Sequence, residues 1–119
     1  MLDLKALLAK ILDMFVIRSY NITWGGTTVQ LKKRCGVVQG VIWNPRTVAA
    51  GSNTIGTLPI GWRPAVDCVW IVKAPNSTSS GVDIRYTINA SNGVFTVYNY
   101  GAAWTNRDSN MTASFTYII

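Results

Sequence analysis

The residues best equipped for chemistry stand together in the stretch YGAAWTNRDSN, where Trp104 is followed by Asn106, Arg107 and Asp108. A flat indole stacks on the C–H face of a pyranose, while amide, guanidinium and carboxylate groups hold hydroxyls in set directions. These are the types a sugar-binding surface uses. A loop tryptophan also packs against a neighbouring subunit or its own sheet, and the sequence leaves both readings open. Just upstream, Tyr98 and Tyr100 flank Asn99. They either line a shallow groove or pack as cross-strand aromatics. Arg85, on the polar phase of an earlier segment, suits an anionic group on a polymer. Solvation, or an ion pair with Asp83 or Asp67, is its plainer account.

Catalysis is poorly provisioned. The chain has no His and no Glu, which excludes His-based triads, His acid–base chemistry and most zinc sites. Asp3, Asp13, Asp67, Asp83 and Asp108 are the only side-chain carboxylates. A hydrolytic pair would need two of Asp67, Asp83 and Asp108 to converge near a groove. No catalytic residue, metal or cofactor is expected. Cys35 and Cys68 lack metal-ligand spacing and sit in apolar runs, where a free cysteine behaves as a small buried hydrophobe.

The net charge is +6, yet charged residues make up only 13% of the 119 residues, against about 25% in ordinary domains. Lys32-Lys33-Arg34 is the only basic cluster, and it reads as a solvated strand edge. No basic-aromatic motif points to nucleic acid. No segment is long and apolar enough to be a membrane span, and the charged N-terminal stretch does not resemble a signal peptide.

What positions these residues is a chain of two parts. In MLDLKALLAKILDMF, Leu4, Leu7, Leu8, Ile11, Leu12, Met14 and Phe15 recur at helical spacing. So short an amphipathic helix needs cover, from its own domain or from copies of itself. From Tyr20 the pattern changes to short alternating segments: YNITW, TTVQLKKR and CGVVQGVIW. Asn44 to Pro64 reads as irregular, with TVAA or NTIGTL pairing briefly. VDCVWIVK places Val66, Cys68, Trp70 and Val72 on one face. VDIRYTINA places Val82, Ile84, Tyr86 and Ile88 inward, and Asn92-Gly93 then predicts a type I′ hairpin turn into VFTVYNY. MTASFTYII closes with Ala113, Phe115 and Tyr117 on the inner phase. Regular short strands predict an all-β, antiparallel β-sandwich or jelly-roll-like domain. In TLPIGWRPAVD, Pro59 and Pro64 stiffen a corner, Gly61 supplies a turn, and Trp62 with Arg63 caps the sheet end.

The combination of TLPIGWRP, the Val66–Val72 strand, the SNGVFTVYNYG hairpin and the TASFTYII ending resembles the C-terminal head domains of bacteriophage and prophage tail proteins. These include receptor-binding proteins and the tips of baseplates and fibres. The resemblance covers residues 54–119, and LKALLAKIL is similar to helices that lead trimeric tail proteins into their heads. It implies a helix over 1–17 for trimerisation or attachment and a small head over 18–119. The head would be homotrimeric, carried on a virion tail among other tail proteins, and assembled in the bacterial cytoplasm. Such heads bind host cell-surface glycans or cell-wall polymers without cleaving them. Trp104, Asn106, Arg107, Asp108, Tyr98, Tyr100 and Arg85 are then the candidate ligand-binding residues. The alternative is a purely structural tail-tip or capsid-decoration protein, whose surface aromatics serve subunit contacts. Neither reading includes nucleic acid or membrane insertion.

Overall fold

The structure is a computed structural model, and it describes residues 3–24, 26–43, 47–74, 82–101, 104–105 and 112–119. One helix, α1 (Leu4–Met14), precedes ten strands. In chain order these are β1 (Arg18–Trp24), β2 (Thr27–Arg34), β3 (Val37–Trp43), β4 (Thr47–Val48) and β5 (Gly51–Thr57). The rest are β6 (Cys68–Ala74), β7 (Val82–Ile88), β8 (Val94–Asn99), β9 (Trp104–Thr105) and β10 (Thr112–Ile118). Two antiparallel four-stranded sheets, ordered β1-β2-β3-β10 and β5-β8-β7-β6, form the sandwich, and β4 pairs with β9 as a separate ribbon.

Period-2 alternation in the sequence becomes two inner faces. Val29, Leu31, Val38, Ile42, Ala113, Phe115 and Tyr117 are buried from the first sheet. Ile55, Ile84, Tyr86, Ile88, Phe95 and Val97 are buried from the second. Each Val, Leu, Ile or Phe among them, fully buried, contributes about 1.5–3 kcal/mol of apolar transfer free energy. Trp70, on edge strand β6, crosses the interior and stacks on Phe115 of the opposite sheet at 4.4 Å between ring centroids. Phe95 meets the same Phe115 ring edge-on at 5.7 Å. Phe115 lies directly opposite Gly40 in the β3–β10 register, and its ring fills the space that a side chain at Gly40 would take.

The all-β sandwich with a short N-terminal helix is as the patterning predicts, and local details differ. The passage from Asn44 to Pro64 contains β5, a full strand paired with β8 through a bulge between Thr54 and Gly56. GSNTIGT has little intrinsic β propensity, so it is the long-range ladder to β8 that holds it extended. Val66 lies before β6, not on its inner face, and is 70% exposed. The hairpin at Asn92-Gly93 exists but is not type I′: only Gly93 has positive φ there. Asn89 Oδ1 instead accepts from the backbone N–H groups of Ser91 and Asn92, coiling the loop over four residues, 90–93. A two-residue turn with both φ values positive occurs at Cys35-Gly36, between Arg34 and Val37. Cys35 is accordingly exposed rather than buried; Cys68 is half-buried, and both are free thiols.

Helix α1 starts where Asp3 caps it, its carboxylate accepting from the N–H groups of Lys5 and Ala6 at 3.0 and 3.2 Å. It ends at Met14, short of residue 17, and none of its residues is buried. The helix root is tied down by Cys35 N–H donating to the Met14 carbonyl at 2.8 Å and by an Arg18–Asp13 ion pair. The molecule is 66 Å long but only 26 and 20 Å across.

A Cβ at Gly40 would sit 2.1–2.7 Å from three atoms of the Phe115 ring. Gly40→Ala is therefore expected to cost about 1–3 kcal/mol in urea unfolding. An unchanged midpoint would show that the Phe115 ring has room to move.

Candidate functional site

Corner residues 58–64 are fastened to both sheets, by side chains of the first and by backbone carbonyls of the second sheet's hairpin. Two of its residues are prolines and offer no N–H, so its need is for donors to its carbonyl oxygens. Arg63 Nε donates to the Leu58 carbonyl at 3.0 Å, and Arg63 Nη1 reaches the Ser91 carbonyl in the β7–β8 hairpin at 3.1 Å. Lys33, at the end of β2, donates to the Gly61 carbonyl at 2.7 Å while its ammonium lies 4.4 Å from the Trp62 ring centre. Tyr117 of β10 donates its hydroxyl to the Trp62 carbonyl at 2.6 Å, and Tyr20 of β1 packs on the Trp62 ring. Leu58 is fully buried and donates its N–H to the Gly93 carbonyl at 2.8 Å. A Cβ on Gly93 would lie 2.3 Å from the Leu58 oxygen, so this contact requires glycine. Pro59, Gly61, Trp62, Arg63 and Pro64 thus lie in a joint held by these hydrogen bonds. Lys33 is an exception to the reading of Lys32-Lys33-Arg34 as a solvated edge. Lys33 shares the inner phase of Val29 and Leu31, which is the signal for its different role.

The outward face of the second sheet carries the candidate ligand chemistry. Arg85 is paired across the ladders with Ile71 on one side and Tyr98 on the other. Its guanidinium carbon lies 5.5 Å from the ring centres of both Tyr98 and Tyr100. Those rings are 4.7 Å apart and tilted by 60°. Tyr100 lies just past β8 and is held by its N–H donating to the Asp83 carbonyl at 3.2 Å. Its ring side of the strand follows from the two-residue spacing to Tyr98. Arg85 Nε is buried and has no hydrogen-bond partner among the described residues. Ile71 and Val69, 64% and 58% exposed, continue the same face towards the β6 edge.

Of the predicted ligand-binding residues, the structure brings Arg85, Tyr98 and Tyr100 together. Trp104 is not in an open loop: its backbone pairs with Val48 in the β4–β9 ribbon. Asn106, Arg107 and Asp108 lie outside the described residues. Asn99 is the residue that composition alone overlooks. It is buried on the inner phase of Phe95 and Val97, its Nδ2 donates to the Val48 carbonyl at 3.1 Å, and its Oδ1 accepts from Gly101 N–H at 2.9 Å. Asn99 therefore joins the Tyr98–Tyr100 segment to the ribbon that carries Trp104. Asp67, weighed as a catalytic carboxylate, accepts from Ala90 N–H at 2.7 Å and braces the hairpin loop. Among the described residues no cluster of His, Cys, Asp or Glu suits a metal ion, and no helix is long and apolar enough to cross a membrane. No protein-family model matches the chain, and no curated protein or solved structure matches it either.

Two buried phenols separate a satisfied hydroxyl from an unsatisfied one. Tyr117 donates to the corner, whereas the Tyr86 hydroxyl is buried without a partner among the described residues. Tyr117→Phe should cost about 1 kcal/mol, and Tyr86→Phe should be neutral or stabilising by up to about 1 kcal/mol. Burial pushes both phenols above their ordinary range, with the Cys68 thiol adding to the effect at Tyr117. The fold therefore favours the neutral phenol, and its contribution is intact below the unfolded value of about 10. Stability should fall as pH rises above that value. Either substitution should flatten the alkaline limb of a stability–pH curve, and an unaltered limb in both variants would refute the assignment.

Proposed function

We propose that this chain is the recognition head of a phage or prophage tail tip, a homotrimer that holds a host cell-surface saccharide without cleaving it. The observation that carries the reading is the Arg85–Tyr98–Tyr100 cluster on an outward sheet face, with Tyr100 55% exposed. Tyrosine rings offer flat apolar surface and a hydroxyl at low entropic cost, which suits stacking on a sugar ring. Arg85 adds directed donors beside them. The resemblance of the TLPIGWRP corner and the flanking strands to tail-protein heads supplies the biological setting. The duties of the carboxylates support binding over hydrolysis. Asp3 caps the helix, Asp13 pairs with Arg18, and Asp67 braces a hairpin.

A purely structural virion role is the second reading, favoured by the exposure of Val69 and Ile71 beside the same cluster. In that case the face is a subunit contact and binds no sugar.

Titration of the intact protein with wall polysaccharides from candidate hosts, followed by calorimetry, separates the two. Tyr100→Ala and Arg85→Ala are each expected to weaken binding about tenfold, the equivalent of ~1.4 kcal/mol. Thr116→Ala, on the outward face of the other sheet, should leave it unchanged. Absence of binding to surface polysaccharide from any host tested, by a folded assembly, overturns the recognition reading. Mass spectrometry of purified phage particles checks the placement in a virion.

A further inference from the structure

We infer that α1 and the basic base of the head dock on an anionic lipid surface, with the helix lying in the interface rather than crossing it. The inference goes beyond the recognition reading and uses none of its residues. Helix α1 has 11 residues, too few to span a bilayer. None of them is buried, and a contiguous apolar patch left in water marks a protein or membrane contact.

The order of residues around the helix selects lipid as the occupant. At 3.6 residues per turn, Leu4, Leu7, Leu8, Ile11, Leu12 and Met14 fall within an arc of about 160°. All are at least 40% exposed, and Leu4 reaches 71%. Lys5 and Lys10 stand just outside the two borders of that arc. From there their stems lie along apolar surface while the ammonium groups reach headgroup phosphates. Asp13 stands opposite the centre of the arc, the position farthest from an anionic surface, and it is paired with Arg18. Asp3 is engaged in the helix cap. A protein groove takes a narrow row of anchors at i, i+3, i+4 and i+7. An arc of nearly half the circumference suits a helix sunk ~5–10 Å into a headgroup layer.

The base of the head carries the matching charge. Cys35 N–H donates to the Met14 carbonyl at 2.8 Å and fixes the helix root against the β2–β3 turn. Two shallow depressions open there. One, of about 200 Å3, is lined by Met14 and Val16 together with Asp13, Arg18, Lys33 and Arg34. The other, of about 280 Å3, has Ile17 and Val37 beside Lys32, Lys33 and Arg34. Asp13 is the only carboxylate side chain lining either one. Arg18 is engaged with Asp13 and Lys33 with the corner, which leaves Lys32 and Arg34, both exposed, to face a ligand. Arg34 stands opposite Val37 in the ladder, so cation and apolar surface lie side by side as a lipid headgroup and its chain require. Copies of the chain meeting at this end would bring these cations against one another, and nothing in the recognition reading requires α1 to be the subunit contact.

Flotation of the full chain with lipid vesicles tests this. Phosphatidylcholine vesicles containing phosphatidylglycerol should carry the protein up a density gradient, and vesicles of phosphatidylcholine alone should not. Binding should fall as salt rises. Leu8→Asp should abolish flotation while leaving the urea midpoint of the head, read by tryptophan fluorescence, unchanged. Lys10→Gln and Arg34→Gln should each weaken binding about fivefold, the equivalent of ~1 kcal/mol per cation near the surface. No flotation with the anionic vesicles, or equal flotation with the neutral ones, overturns the inference. So does an oligomer that Leu8→Asp dissolves and that stays off the vesicles. The recognition reading is scored separately, because Leu8→Asp should leave polysaccharide titration unchanged. A chain that floats but binds no polysaccharide sinks only recognition, and one that binds polysaccharide but does not float sinks only the lipid contact.

Discussion

The sandwich depends on how one proline-rich corner satisfies its carbonyl groups. A loop that turns against a sheet end takes backbone oxygens out of water, and each must find a donor or cost free energy. Two donors come from far along the chain, Lys33 and Tyr117 of the first sheet, while Arg63, within the corner, donates to Leu58 and reaches the hairpin of the other sheet. The corner is thereby fastened to both layers at once. Because Gly93 lets that hairpin come against Leu58, the same fastening sets the start of β8. Tyr98 and Tyr100 lie further along the same stretch, so the joint at one end of the sheet fixes the register of the aromatic cluster on its outer face.

The two outward faces differ in chemistry. On the first sheet, Ser19, Asn21, Gln30, Lys32, Gln39, Ser114 and Thr116 alternate with the core as a mostly polar surface, broken at one end by the exposed pair Val37 and Ile118. On the second, arginine lies over paired tyrosines with exposed isoleucine and valine alongside. The tyrosine rings shield the guanidinium, and its Nε is buried beside them without a hydrogen-bond partner among the described residues. The two sheets thus present unlike chemistry, one mostly short and polar, the other cationic and aromatic with apolar flanks.

Much of this was legible in the sequence because period-2 alternation is a direct imprint of a half-buried sheet. The inner phases of β7, β8 and β10 and the core position of Trp70 follow from it. The corner was legible as a joint because its prolines restrict φ whatever surrounds them. Other features depend on partners distant in sequence. GSNTIGT becomes a strand only against β8, and Lys33 becomes a corner donor only because Gly61 arrives beside β2. The hairpin at Asn92-Gly93 shows a local signal overruled locally: Asn89 caps the loop with its own side chain, and a wider turn results. At Cys35-Gly36 the ladder between β2 and β3 imposes positive φ on a residue that rarely accepts it. Trp104, prominent by composition, drew attention to a loop, yet it is Asn99 that anchors that region, and a buried asparagine carries no compositional flag.

The pairing of β10 with β3 bears on how the molecule comes to be built. Until residues 112–118 lie along β3, the interior lacks Phe115 and Tyr117, Gly40 has nothing over it, and the corner lacks its hydroxyl donor. The ladder joins segments far apart in the chain, so its loop-closure entropy falls due before its contacts repay it. On a ribosome, the first three strands would emerge as an unfinished meander with one side uncovered. Closure of the head is therefore cooperative, and it waits on the pairing of β10 with β3.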